Sequence, residues 1–260
     1  MKIAIVTGAS SGMGRETAVQ LADRFGGLEE IWLIARRMNR LKELEEALPV
    51  PVRKFAIDLT GQEELEQLKT ALKDIKPDVK MLVNASGYGK IGRVGTISLN
   101  GETGMPDLNC TALVAVTHLV LPYMSKNSRI IQYASSAAFL PQPGFAIYAA
   151  TKAFVLSYSR ALNEELKSRG ICVTAVCPGP VKTEFFDIAE TTGEIPLYKK
   201  LTMANPRKVV KLALRDSMMG KTVSTYGFLM KAFRLLCKAV PHGLILKAMA
   251  ALSPEQVEEP

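Results

Sequence analysis

Tyr148 is followed four residues later by Lys152, within Tyr-Ala-Ala-Thr-Lys, and Ser135 lies thirteen residues before the tyrosine. On a helix, positions i and i+4 share a face, so this spacing sets an ammonium beside a phenol. A free phenol has a pKa of about 10 and is a poor proton shuttle at neutral pH. Two unit charges ~4 Å apart at an effective dielectric near ~20 interact by roughly 4 kcal/mol. At about 1.4 kcal/mol per pH unit, Lys152 is expected to lower the Tyr148 pKa by up to ~3 units before desolvation opposes it. A phenol so tuned can give its proton to a carbonyl oxygen or take one from an alcohol. The Ser135 hydroxyl can stabilise charge gathering on that same oxygen. In a chain with seven tyrosines the pair alone is weak evidence.

Its setting strengthens it. The chain opens with Lys2-Ile-Ala-Ile-Val-Thr7, an apolar run of strand length, then Gly8-Ala9-Ser10-Ser11-Gly12-Met13-Gly14 and a long amphipathic stretch. A strand, a glycine turn and a helix N-terminus make an anion site, because unpaired N–H groups and the helix dipole face the phosphates. Glycines allow the backbone to approach a pyrophosphate closely. The position after a first strand and before a helix is the context this motif requires.

Thr7-Gly8-x-x-x-Gly12-x-Gly14, Asn109, Ser135, Tyr148-x-x-x-Lys152 and Pro178-Gly179-Pro180-Val181-Lys182-Thr183 resemble the short-chain dehydrogenase/reductase family, in its order and spacing, over residues 1–225. The resemblance implies a nucleotide-binding fold and hydride transfer between a nicotinamide and a carbonyl or secondary alcohol. It implies that Ser135, Tyr148, Lys152 and Asn109 form the catalytic set. Lys152 would also bind the nicotinamide ribose, and Asn109 would hold a water linking the lysine to bulk solvent. Asp58, with Leu59 beside it, looks like the family's adenine-contacting acid. Asn84-Ala85-Ser86-Gly87 stands where the family has Asn-Asn-Ala-Gly, so the tie its second asparagine gives the sheet is in question. Small Ala85, Ser86 and Gly87 should still let the cofactor pass. Val181 should reach the carboxamide through its backbone, and Thr183 a diphosphate or amide through its hydroxyl.

Charge bears on the cofactor. A site for NAD places Asp or Glu at the end of the second strand, whereas Arg accommodates a 2′-phosphate. Here Ile31-Trp-Leu-Ile34 ends in Ala35-Arg36-Arg37, with no acid. Guanidinium forks suit phosphate, so NADP(H) is the expected cofactor, held by Arg36 with Arg37 in support and Ser11 nearby. The alternative is that both arginines are solvated surface charges.

The elements that must position these residues alternate. Strands are expected near 2–7, 30–35, 52–57, 80–84, 128–134, 171–177 and 221–225. Helices are expected near 13–25, 38–48, 61–74, 104–125, 147–169 and 205–218. Thr60 and Glu63 suggest a capping box for the third helix. The result is an α/β fold, a Rossmann-type doubly wound parallel sheet of about seven strands with helices on both faces and a C-terminal helical extension. Residues 1–225 would form the binding and catalytic domain, and 226–260 an extension packed on it.

Composition agrees. The 260 residues, 48% hydrophobic and 22% charged, are ordinary for a globular chain. A net charge of +8 favours anionic partners, but no basic run interleaved with aromatics argues for nucleic acid. Four cysteines without paired spacing and only two histidines argue against a metal. A reduced, cytoplasmic enzyme and a homo-oligomer, dimer or tetramer, are expected. No run of 18 apolar residues predicts a membrane span, and no leader is expected ahead of the first strand.

The substrate pocket should lie between Tyr88-Gly89, residues 137–145 and the stretch after Thr183, which carries Phe185, Phe186, Ile188, Leu197, Tyr198, Leu201 and Met203. An apolar lid fits a steroid, a bile-acid-like molecule or a 3-oxoacyl chain, and so a role in lipid or steroid metabolism. Lys199 and Lys200 could meet an anionic end or simply be solvated. Phe228, Leu229, Phe233, Leu235, Leu236 and Val240 alternate with Lys231, Arg234 and Lys238. This basic amphipathic segment could pack on the protein, lie peripherally on a membrane or form an interface. Beside an NADP-dependent oxidoreductase stands a second class, a non-catalytic NADP(H)-responsive binding protein. Retention of Ser135, Tyr148 and Lys152 together speaks against it.

Overall fold

The computed structural model describes residues 1–185, 189 and 203–252. Seven strands, β1 (Lys2–Thr7), β2 (Glu30–Ala35), β3 (Val52–Ala56), β4 (Asp78–Asn84), β5 (Arg129–Tyr133), β6 (Cys172–Val176) and β7 (Val223–Ser224), form one parallel sheet in the order β3-β2-β1-β4-β5-β6-β7. Helices α1 (Gly12–Arg24), α2 (Met38–Glu46), α3 (Gln62–Ile75), α4 (Leu99–Pro106), α5 (Ala112–Val120), α6 (Ala146–Glu165) and α7 (Pro206–Met218) connect them. Two further helices, α8 (Phe228–Ala239) and α9 (His242–Leu252), close the chain.

The strands read as near-continuous apolar runs because both faces are covered. Alternation divides β1 between them. Ile3 and Ile5 join Trp32, Leu82 and Ile130 in one core layer, while Ala4 and Val6 join Leu33, Val83 and Ile131 in the other. The first layer packs against α3 and α5 through Leu68, Leu72 and Val116, the second against α1 and α7 through Leu21 and Val210. Edge strand β3 buries little. β1 pairs with β2 on one side and β4 on the other. The chain therefore leaves its carboxyl end in two directions, and a crevice opens there.

Four local expectations are corrected. The helix expected at 104–125 begins at Leu99, where the Ser98 hydroxyl accepts from the Gly101 N–H at 3.3 Å. Gly101 and Gly104 lower the helical propensity of α4 and hide its start. The same column is interrupted by a π turn over Asp107–Thr111. The helix expected to reach 169 ends at Glu165, followed by a short 3-10 turn. The Thr60–Glu63 capping box does not form. Gly61 occupies the cap, and both the N–H and the hydroxyl of Thr60 donate to Asp58 Oδ1.

The apolar column from Leu99 to Tyr123 is long enough to cross a membrane. Its Ala112, Val116 and Val120 instead complete the core of the sheet.

Packing of α1 on β1 leaves no room at its second glycine. A Cβ on Gly14 would stand 2.3 Å from the Gly8 carbonyl oxygen. Backbone cannot yield as a flexible side chain can, so Gly14→Ala is expected to destabilise the fold by about 1–3 kcal/mol. Chemical denaturation should show a lowered midpoint; an unchanged midpoint would contradict this packing.

Candidate active site

At the carboxyl ends of the strands lies a cleft of about 2170 Å³. One end is built from the glycine turn. Gly8, at φ +66°, ends β1, and Ser11 precedes α1 without spending its hydroxyl on a cap. Ser10, Ser11, Gly12, Met13 and Gly14 all line the cleft. The N–H groups of a helix's first turn have no partner within the helix and carry the positive end of its dipole. This end therefore suits a diphosphate.

The Thr7 hydroxyl accepts from the N–H groups of Ala85 and Ser86, at 3.1 and 3.2 Å, and fixes the end of β4 against β1. That bond supplies support that Asn-Ala-Ser-Gly left in question. Ala85, Ser86 and Gly87 face the cleft, but Asn84 does not. Asn84 is buried, and its Nδ2 donates to Thr117 Oγ1 at 3.0 Å. Its side chain forms an inner tie between β4 and α5.

Arg36, Arg37, Asp58 and Leu59 line the same end. The two arginines differ. Arg36 is mostly exposed and only loosely paired, 3.7 Å from Asp58. Arg37 donates to Ser10 Oγ at 3.2 Å and to Glu184 at 2.9 Å. The Thr60 hydrogen bonds and the Arg36 charge together overcome burial and hold the Asp58 carboxyl below its usual range. Across the cleft stand Pro178, Gly179, Val181 and Thr183, steadied by the Ser136 N–H donating to the Pro178 carbonyl at 2.8 Å.

Tyr148 and Lys152 lie one turn apart on α6, both buried. Tyr148 lines the cleft beside Ser135, while Lys152 lies behind it. The tyrosine ring stacks on Phe145 at 4.3 Å and tilts against Phe185 at 5.4 Å. Lys152 Nζ donates to the Tyr133 carbonyl at 2.9 Å and stands 5.6 Å from the Tyr148 ring centre. It also lies near the Gly87 backbone, where a Cβ would come within 3.4 Å of Nζ and 2.8 Å of Asn109 Oδ1. Asn109, fully buried in the π turn, accepts from the Tyr88 N–H at 3.0 Å. Its Nδ2 donates to the Tyr88 carbonyl at 2.9 Å and to Thr151 Oγ1 at 3.0 Å.

The expected lowering of the phenol is reversed in this state. Burial pushes Tyr148 up to about 12, with hydrogen bonding to Ser135 acting the other way. Burial also brings Lys152 down to about 8, opposed by the thiols of Cys110 and Cys177. The Lys152 ammonium is directed at the Tyr133 carbonyl, and burial is the larger influence on the phenol.

Tyr133 and Thr151 carry no sequence signal, and the motif containing Thr7 and the pocket segment ending at Phe145 do not disclose the hydrogen bonds of Thr7 or the stacking of Phe145 on Tyr148. Phe145 was readable in principle, three residues before Tyr148. Of the lid residues, Phe185 and Met203 are described. Phe186, Ile188, Leu197, Tyr198, Lys199, Lys200 and Leu201 lie outside the described residues.

Known proteins resemble this chain in sequence and fold. Residues 2–192 match the family model for short chain dehydrogenase. Serine 3-dehydrogenase of Agrobacterium fabrum is 35% identical over 190 residues, covering 70% of this chain and 72% of its own. Very-long-chain 3-oxoacyl-CoA reductase of Rattus norvegicus is 34% identical over 203 residues, covering 74% and 64%. A short-chain dehydrogenase of Sphingobium yanoikuyae solved with NADPH superposes with a TM-score of 0.75 at 28% identity, covering 93% of this chain and 97% of its own. A glycine cradle at the sheet's switch point, a buried tyrosine–lysine pair and a family match across most of the chain converge: this protein is an oxidoreductase of the short-chain dehydrogenase family.

Proposed function

We propose that the protein is an NADP(H)-dependent carbonyl reductase acting on an apolar substrate, with Tyr148 as proton donor. The observation that carries this reading is the buried Tyr148 hydroxyl facing the cleft beside Ser135 with the Lys152 ammonium behind it. The cradle of Ser11, Gly12 and Gly14 would hold the diphosphate, and Arg36 the 2′-phosphate. Lys152 would hold ribose hydroxyls, and Val181 and Thr183 the carboxamide end. When bound, the reduced nicotinamide supplies the hydride.

The chain's own groups do the rest. A phenol with a pKa near 12 is protonated throughout the neutral range, the form from which a proton donor starts, and the nearby Lys152 charge would ease the otherwise unfavourable transfer. Ser135 donates to the substrate oxygen and stabilises the charge growing there. As Tyr148 Oη gives up its proton, the Lys152 ammonium stabilises the phenolate left behind. In oxidation the same groups work in reverse. Asn109 positions both sides of the site, fixing Tyr88 at the cleft and Thr151 beside the lysine.

Substrate polarity follows from the lining. Ile91, Leu140, Phe145, Phe185, Met230 and Phe233 surround the far part of the cleft. These side chains favour an apolar carbonyl such as a 3-oxoacyl chain or a steroid over the small polar substrate in the serine dehydrogenase's name.

Oxidation of NADPH with a panel of ketones, steroids and 3-oxoacyl thioesters tests the reading. Tight NADPH binding without turnover on any of them would favour a binding protein instead. Tyr148→Phe should reduce turnover by about 10²–10⁴-fold while NADPH binding, followed by fluorescence, stays within error of the parent.

Lys152 carries its charge below about 8 and loses it above. Carbonyl reduction should therefore decline as pH rises through that value, and a flat profile across it would remove the lysine from the proposed step.

Arg36→Asp should lower the NADPH-to-NADH ratio of kcat/KM by about 10–100-fold, the worth of a charged hydrogen bond. An unchanged ratio would return Arg36 to the solvent.

A further inference from the structure

Helix α8 has two unlike faces. Phe233 and Cys237 face the protein, where Phe233 packs against Phe139 at 6.4 Å. At 3.6 residues per turn, Phe228, Ala232, Leu235, Leu236 and Ala239 fall together on the opposite side. They are exposed, Phe228 to 88% and Leu235 to 67%. Lys231 and Lys238, two turns apart and both exposed, run along one edge of this apolar face. Helix α9 adds an exposed Leu244, at 60%, and an exposed Lys247. Single exposed leucines are ordinary; a contiguous apolar face marks a contact.

Charge identifies what it contacts. From Lys221 to Leu252 the sequence contains Lys221, Lys231, Arg234, Lys238 and Lys247 and neither Asp nor Glu. A symmetric contact with a second copy would set Lys231 and Lys238 of one chain near those of the other, with no acid in the segment to offset them. A bilayer offers both complements at once, since acyl chains receive the apolar face and anionic headgroups meet the lysines.

The geometry points to a peripheral membrane site. We infer that α8 and α9 seat the enzyme on an anionic lipid surface, with Phe228 and Leu235 entering the acyl boundary and Lys231 and Lys238 held at the headgroups. Leu229, Leu246 and Met249 line the cleft as well, and Leu229 and Met249 remain exposed. The bilayer-facing side therefore continues into the cleft wall, and an apolar substrate can pass from lipid to cleft without crossing water.

Sedimentation of the full chain with phosphatidylcholine vesicles, with and without phosphatidylglycerol, tests this directly. Binding to the anionic vesicles should be about tenfold tighter or more, and should weaken as salt shortens the screening length. Phe228→Ser combined with Leu235→Ser should reduce it about tenfold or more while leaving the thermal midpoint, and turnover of a water-soluble ketone, unchanged. Lys231→Gln combined with Lys238→Gln should abolish the preference for anionic lipid. Absence of vesicle binding, or equal binding by the serine variant, would overturn the inference. Sedimentation velocity separates the other occupant: a dimer that the serine variant dissociates, without vesicle binding, would make this face a contact between copies. The test needs no cofactor, so its failure leaves the proposed reductase untouched, and failure of the ketone screen leaves this surface intact.

Discussion

The contact between the Lys152 ammonium and the Tyr133 carbonyl governs the arrangement of the site. A buried ammonium without a partner costs several kcal/mol, and the carboxyl end of β5 provides the partner at 2.9 Å. With Nζ held there, and Val155 and Leu162 packed in the core, the face of α6 that carries the lysine is set. Tyr148, one turn earlier on the same face, is thereby fixed towards the cleft and beside Ser135, which follows the same strand. Thr151 completes the restraint from the adjacent position, accepting from Asn109 while donating to the Tyr148 carbonyl at 2.8 Å. One sheet terminus and one π turn thus set the direction of a helix.

The same burial that fixes these groups displaces their protonation equilibria in opposite directions, the phenol upward and the ammonium downward. Both shifts express a single preference of the site for neutral side chains. Proton transfer from the phenol works against that preference, since it creates an anion. The ammonium is the group on hand to offset it, and in the proposed reaction it would exert that effect fully only once the phenolate forms. In the proposed reaction Lys152 would therefore act on the charge that develops more than on the resting phenol. Attraction of this kind, felt in the transition state, accelerates a step rather than merely binding a ligand.

Much of this was legible in the sequence where chemistry demands fixed spacing. Tyr148 and Lys152 had to share a helical face, and the glycine turn had to separate a strand from a helix. The parallel sheet followed from alternating elements with continuous apolar strands. What stayed hidden depended on contacts distant in sequence. Thr7 supports residues 85 and 86, and Asn109 holds Tyr88, with nothing local to announce either pairing. The start of α4 was masked by two glycines whose helical conformation is imposed by tertiary packing. The sign of the Tyr148 shift is not legible in the sequence for a related reason: spacing places two groups together, but burial sets the larger part of the shift.

The two ends of the cleft differ in kind, and this difference organises the molecule. At the glycine turn the groups on offer are N–H donors, hydroxyls and arginines, with Arg36 loosely held and Arg37 already engaged by Ser10 and Glu184. At the far end, Phe145, Phe185, Met230 and Phe233 offer apolar contact. Tyr148 and Ser135 stand where the two meet. Part of the apolar end is contributed by α8, outside the alternating strand–helix core. The side chains that close the cleft and those that face outward belong to the same twelve-residue helix, so its docking against Phe139 fixes the orientation of both. A change in how α8 sits would alter the shape of the pocket and the tilt of the outer face together.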